Sequence, residues 1–282
     1  MNFRKTILSL IFIVVICLIS VISIAYCSQF INPYLLRQKY ETITDAKIPS
    51  NMEEVSIVYF SDLLYGNYTT TETVDKTFAM IEELDPDILI FGGDVFDHEM
   101  RPTPKMLDEI QEHFSKIKAP LGKYAVYGEM DLEDIHKEKL AQLYFNANVE
   151  VLNNQNLRIG NHSKSSIRII GLSDEDSLDQ AFSSVSDEEY NLLICHQPDL
   201  LKNEKLALLP ISLALVANSH GTQLTYPLLG GYKTVKGSES INRANSRTLS
   251  FPYYITTGIG CTQLKARLNA TPEVCFFILR KS

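Results

Sequence analysis

Gly93-Asp94-Val95-Phe96-Asp97 follows the apolar run Ile88-Leu89-Ile90-Phe91, which sets two carboxylates just past the end of a buried strand. Open α/β sheets gather their ligands at that edge. A second junction of the same kind lies upstream, where Val55 to Phe60 runs into Ser61-Asp62-Leu63-Leu64, and a third downstream, where Tyr124 to Tyr127 runs into Gly128-Glu129-Met130-Asp131. Further on, Leu192 to Cys195 leads into His196-Gln197-Pro198, and Ser212 to Val216 into Ala217-Asn218-Ser219-His220-Gly221. Five strand ends thus present Asp62, Asp94, Glu129, His196 and His220, a mixed oxygen and nitrogen donor set of the kind divalent transition metals prefer. Each alone reads as a turn aspartate, a strand-capping histidine or a surface glutamate. Together, at successive strand ends, they read as a metal site.

The intervening segments have the periodicity needed to hold those ends in place. Val74, Phe78, Ile81 and Leu84 recur at helical spacing until Asp85-Pro86-Asp87 stops the helix. Leu107, Ile110, Phe114 and Ile117 mark a second helix, and Ile135, Leu140, Leu143 and Tyr144 a third. The resulting β-α-β-α-β-α order predicts a largely parallel sheet with helices on its faces. From Glu150 onward the texture changes to short β-rich runs at Val151-Leu152, Leu157–Ile159 and Ile167–Ile170, which predict a second sheet packed on the first. Closing strands are expected at Tyr253–Thr256 and Val274–Leu279.

The 282 residues, 45% hydrophobic and 21% charged, are enough for one large domain with a full core. A net charge of −8, with no run of Lys and Arg longer than two, excludes nucleic acid as the main partner. An acidic protein that binds phosphate needs a cation to do so. Arg4 and Lys5 precede an uncharged apolar stretch from Ile7 to about Cys27, close to the roughly 20 residues of a membrane-spanning helix. It exceeds the apolar region of about 7–15 residues in a cleaved signal peptide, so an uncleaved signal-anchor is expected. The leading basic residues place the N-terminus in the cytoplasm and the soluble domain outside it, at the cell membrane. This divides the chain into a cytoplasmic tip and transmembrane segment at 1–28, a linker with a short strand at 29–53, and a domain at 54–282. The five cysteines do not form a disulfide framework, and Cys261 is expected to be a buried structural thiol.

In order and spacing, the motifs resemble those of the calcineurin-like metallophosphoesterase superfamily, in particular its membrane-anchored bacterial branch. Ser61-Asp62-Leu63-Leu64 stands where the family has SDLH, Gly93 to Asp97 where it has GDxxD, and Gly128 to Asp131 where it has GNHD. His196 matches the isolated histidine, and Ala217 to Gln223 the GHTHGGQ segment; the likeness spans about Ile48 to Leu279. It implies a two-sheet β-sandwich flanked by helices, in α-β-β-α layers.

It also implies a two-metal site with departures. One metal would rest on Asp62, Asp94 and His220, with the family's histidine replaced by Leu64, which has no lone pair to give. The other would rest on Asp94 and His196, with Glu129 in place of an asparagine and Asn218 in place of a histidine. Met130 stands where the family has the histidine that protonates the leaving group. A thioether cannot donate a proton, and loss of a positioned acid lowers rate by about 10² to 10⁴. The resemblance therefore implies one divalent ion (Mn, Fe, Zn or Mg) rather than two, or none, and phosphoester hydrolysis weakened or lost. The alternative is an inactive relative that binds or scaffolds at the membrane surface.

Asp97 and Asp131 are expected to hold the motif loops through hydrogen bonds rather than to touch metal. His98, His113, His136 and His162 are expected to be exposed bystanders, and Arg267 to sit in a structural ion pair. A dinucleotide-binding fold fails because Leu63 to Tyr68 holds a single glycine, Gly66.

Overall fold

A computed structural model describes residues 3–282. Its strands, in chain order, are β1 (Arg37–Thr44), β2 (Ser56–Phe60), β3 (Ile88–Phe91), β4 (Lys123–Ala125), β5 (Glu150–Val151), β6 (Gln155–Gly160) and β7 (Ser166–Leu172). After these come β8 (Tyr190–Cys195), β9 (Leu213–Val216), β10 (Thr225–Tyr226), β11 (Gly230–Gly231), β12 (Tyr253–Ile255) and β13 (Glu273–Arg280). The helices are α1 (Phe3–Phe30), α2 (Thr71–Leu84), α3 (Pro104–Lys116), α4 (Lys137–Asn146) and the short α5 (Leu178–Ala181).

One sheet has the order β1-β13-β2-β3-β4-β5 and the other β12-β9-β8-β7-β6, with β10 and β11 forming a separate hairpin. Strands β2 to β5 are parallel, as are β7, β8, β9 and β12. Parallel strands joined by helical crossovers all end at one edge, which is why residues far apart in sequence meet there.

Alternation along β2 explains the layering. Val58 and Phe60 face a core shared with Phe78 of α2 and Phe114 of α3, whereas Ile57 and Tyr59 face Ile169 and Leu192 of the other sheet. A third core, around Ile170, Leu193 and Ala214, covers the outer face of the second sheet. The first sheet is thus buried on both faces, which requires the unbroken apolar runs seen in β2 and β3. Helix boundaries follow local chemistry. Thr103 accepts a hydrogen bond from the Met106 amide (3.2 Å) with Pro104 in the first turn, and α2 ends at Asp85 in the left-handed conformation (φ 43°) before Pro86.

Two expectations need correction. The Val151-Leu152 run does not start the second sheet: β5 pairs with β4 and closes the first. Ile135 precedes the third helix, which begins at Lys137. Residues 29–53 contain β1, which runs along β13 in register from Arg37–Glu273 to Thr44–Arg280, and Ile48 and Met52 are fully buried between the sheets. Helix α1 is long and apolar enough to cross a membrane.

Candidate metal centre

Asp62, Asp94 and His196, from the ends of β2, β3 and β8, meet in the interior. One ligand atom from each lies within 4.8 Å of the others, and all three side chains are buried. His196 Nε2 is 3.1 Å from Asp94 Oδ2 and 3.8 Å from Asp62 Oδ1. His220 completes the group, with Nδ1 3.9 Å from Asp62 Oδ1.

Each member is held from behind. His196 Nδ1 donates to the Gly92 carbonyl at 2.6 Å, which fixes the ring so that Nε2 points inward. That is the usual arrangement of a ligating imidazole, whose second nitrogen is tied to a carbonyl or carboxylate. Asp94 Oδ1 accepts the Met130 amide at 2.9 Å, leaving Oδ2 for the centre. Asp62 Oδ2 accepts the Ser61 hydroxyl at 2.6 Å, leaving Oδ1.

The atoms left over are the informative ones. Asp62 Oδ1, His196 Nε2 and both ring nitrogens of His220 are buried with no hydrogen-bond partner. Native proteins leave few such groups, because an unsatisfied buried polar atom costs about 1–3 kcal/mol. Their convergence on two carboxylates fits a divalent cation.

Titration behaviour fits the same picture. For Asp94, burial opposes ionisation, but His196 and the Met130 amide outweigh it and hold the carboxyl below its ordinary range. Burial would depress His196, yet Asp94 and Asp62 push it up to about 10. Burial dominates at His220 and lowers it, with Arg267 adding to the effect. The pocket is thus strongly negative and receptive to positive charge.

The backbone here is unusual. Asp62 (φ 51°), Leu64 (49°), Asp94 (63°), Asn218 (56°), His220 (47°), Thr222 (57°) and Gln223 (55°) all adopt the left-handed region. Such conformations cost free energy and cluster at functional sites, and for β-branched Thr222 the conformation is a genuine outlier. Two glycines are required by close approach. A Cβ at Gly128 would lie 2.0 Å from Asp94 Oδ1, and one at Gly258 (φ 65°) would lie 2.7 Å from Asp62 Cβ.

Asp131 performs the holding role expected of it. Fully buried, it accepts the amides of Asp94 (2.7 Å), Val95 (2.9 Å) and Gly128 (3.0 Å), tying the second and third motif loops together. Burial, then the neighbouring Asp94, push it up to about 7 against the pull of those donors. Asp97 likewise accepts Asn67 Nδ2 (2.7 Å) and the His98 amide (2.9 Å).

One of the expected ligands, Glu129, sits apart from this group. Glu129 is exposed, with Oε1 3.2 Å from Lys236 Nζ and Oε2 3.4 Å from Gln197 Nε2. Asn218 is buried, but its amide nitrogen donates to the Lys236 carbonyl at 2.8 Å. Leu64 is fully buried and Met130 half-buried, its amide directed at Asp94. Asp62, Asp94, His196 and His220 therefore form one group, from which Glu129 is turned away.

The bystander residues also differ from expectation. His136 is fully buried, with its ring nitrogens facing the Met130 and Met100 carbonyls, so it braces the third motif loop from below. His113 is largely covered, stacked on Phe78 and bonded to Asp75 (2.9 Å). His98 and His162 are exposed. Arg267 forms no ion pair. It is fully buried and donates to the carbonyls of Thr257 (2.9 Å), Ala270 (2.8 Å) and Gly260, bracing the loop whose Gly260 amide donates to the Asp62 carbonyl (2.7 Å). Its sequence signal was indirect: no carboxylate occurs between Glu239 and Glu273 to pair with it locally.

A buried carboxylate and imidazole cluster thus lies at the edge of a two-sheet sandwich, in an arrangement that could hold a divalent ion. The chain belongs to the calcineurin-like phosphoesterase family, whose model matches residues 55–224. Among its relatives is the metallophosphoesterase YkuE of Bacillus subtilis, 27% identical over 90% of this chain and 89% of that protein. The UDP-2,3-diacylglucosamine pyrophosphatase LpxG of Chlamydia trachomatis is 26% identical over 88% of this chain and 90% of its own. A zebrafish transmembrane protein with a metallophosphoesterase domain is 21% identical over the whole of this chain, which spans 64% of that relative.

Proposed function

We propose that this protein is a membrane-anchored, metal-dependent phosphoester hydrolase with an altered site that works from one divalent ion (Mn, Fe, Zn or Mg) in place of two. The observation that carries this reading is the convergence of Asp62 Oδ1, His196 Nε2 and the His220 nitrogens, all buried and unpartnered, on Asp94. A divalent ion supplies Lewis acidity toward a phosphoryl oxygen. Asp62, Asp94 and His196 would hold it, and His220, with both nitrogens free, is placed to orient the attacking water. Glu129, on the rim with Lys236, would meet the substrate phosphate or its counter-charge rather than the ion. The soluble domain would lie outside the cytoplasm, since Arg4 and Lys5 precede the span.

Met130 at the position of the family's acid leaves the departing oxygen to take its proton from water. Activity would then favour esters with acidic leaving groups. The Chlamydia relative is named as a pyrophosphatase of UDP-2,3-diacylglucosamine, which supports attack at a phosphoryl centre. The test is hydrolysis of bis(p-nitrophenyl) phosphate with added Mn²⁺. Wild type should turn over slowly and Asp94→Ala not at all, and Met130→His should gain at least tenfold over wild type on an alkyl phosphodiester, whose poor leaving group needs the proton, with little gain on the p-nitrophenyl ester. No turnover by wild type or Met130→His with any of the four metals would end this reading. It would favour the second, an inactive binding or scaffolding module, to which Leu64 and Met130 point.

A further inference from the structure

The hairpin β10–β11 gathers several strongly exposed apolar side chains. Leu228 is 105% and Leu229 86% exposed, with Tyr226, Tyr232 and Leu264 open beside them. Soluble surfaces rarely gather such residues without a partner. This lip is not isolated: Tyr226, Pro227 and Leu264 share a groove with Val21, Ile24 and Ala25 of α1. Those helix residues lie inside the apolar stretch, and no charged residue occurs between Lys5 and Arg37. The lip therefore sits at the depth of the outer end of the span, where the chain leaves the hydrocarbon.

Two further features agree. The connection between helix and lip is built rather than incidental: the Arg267 amide donates to the Ser28 carbonyl (2.7 Å), Asn32 Nδ2 donates to the Arg267 carbonyl (2.8 Å), and Lys265 Nζ lies 4.9 Å over the Tyr34 ring. Charge is also asymmetric. In a chain of net charge −8, Lys233 and Lys265 stand next to Tyr232 and Leu264 of the lip, and Glu239 is the one carboxylate between Lys205 and Glu273. A cationic, apolar-tipped surface beside a membrane helix suits an anionic bilayer.

We infer that the β10–β11 lip inserts into the surface of an anionic lipid bilayer as a second anchor beside α1, and thereby turns the mouth of the metal centre toward the headgroup layer. The same segment that supplies His220 continues into the hairpin. A cavity of about 50 Å³ is lined by His220 together with Tyr232 and Leu264. The phosphoester reached most readily through that mouth is one carried by a membrane lipid.

The chain contains no tryptophan, so one introduced residue reports without background. Full-length Leu229→Trp is reconstituted into phosphatidylcholine–phosphatidylglycerol vesicles with or without brominated acyl chains. The expected result is blue-shifted emission, more than halved by the brominated lipid. Leu208→Trp, in the turn before β9 at the opposite end of the domain, should stay red and unquenched. Solvent-like, unquenched emission from Leu229→Trp would overturn the inference. So would blue-shifted emission that no brominated lipid quenches, which would mean that a second copy of the chain covers the lip. The readout is independent of hydrolysis, so its failure and the failure of the phosphoesterase reading are separable.

Discussion

Asp131 is the most sensitive point in the site that touches neither metal nor substrate. Its carboxylate accepts three buried amides, two on Oδ2 and one on Oδ1. In Asp131→Asn, the amide oxygen can serve the Asp94 and Gly128 donors or the Val95 donor, but not all three, and the NH₂ group must face a backbone N–H. Hydrogen bonds to charged groups contribute about 1.5–3 kcal/mol each, and a buried unpaired donor costs about 1–3 kcal/mol. The expected loss is about 3 kcal/mol for Asn and about 5 kcal/mol for Ala, which forfeits every bond and leaves a void. For a domain of this size, each kcal/mol lowers Tm by about 2–4 °C, so Asp131→Asn should fall by about 6–12 °C. The assay is thermal unfolding of the full chain in detergent by circular dichroism, with and without Mn²⁺. Because Asp131 positions the Asp94 amide, the stabilisation conferred by Mn²⁺ on wild type should shrink in the variant as well. A Tm within a degree or two of wild type, with undiminished Mn²⁺ stabilisation, would refute the argument that this carboxylate ties the second and third loops together.

Other outcomes follow from neighbouring features. Arg267→Met should destabilise by about 3 kcal/mol in urea unfolding, because three buried carbonyls lose a charged donor, and Arg267→Lys should recover only part of that since an ammonium cannot match the fork. Asp199 accepts the amides of Ser240 and Ile241, and although burial opposes ionisation, these donors hold its carboxyl below the ordinary range. A carboxyl lowered in the folded state contributes stability above its unfolded value of about 3.9, lost as pH falls through the folded value. Asp199→Asn should therefore be less stable than wild type at pH 7, with the difference starting to shrink only as pH falls below about 4 in pH-dependent urea titrations. Gly128→Ala should abolish Mn²⁺ stabilisation measured by thermal shift, since the added methyl occupies the position of Asp94 Oδ1.

Much of the architecture was legible because it rests on local pattern. Apolar runs ending in Asp62, Asp94 and His196 identify buried parallel strands, and the helices between them follow from 3.6-residue spacing. What failed depended on pairing rather than pattern. Two-residue β5 carries no signal for which sheet it joins, and nothing in the polar outward residues of β1 says that it pairs with β13. The centre was legible in its aspartates and histidines, because acids and imidazoles at strand ends have few other uses in such number. The position of Glu129 was not. Motif alignment puts it beside Asp94, but the turn at Met130–Leu132 points the backbone amide inward and the carboxylate out toward Lys236. His136 and Arg267 were misread for a related reason: their partners are backbone carbonyls, which sequence does not advertise.

The count of bound ions tests the central claim most directly. Full-length protein is loaded with Mn²⁺, freed of excess and analysed for metal and protein together, alongside Asp94→Ala and Glu129→Ala. One ion per chain is predicted for wild type and for Glu129→Ala, and none for Asp94→Ala. Two ions in wild type, or loss of the ion with Glu129, would contradict a centre built on Asp62, Asp94, His196 and His220.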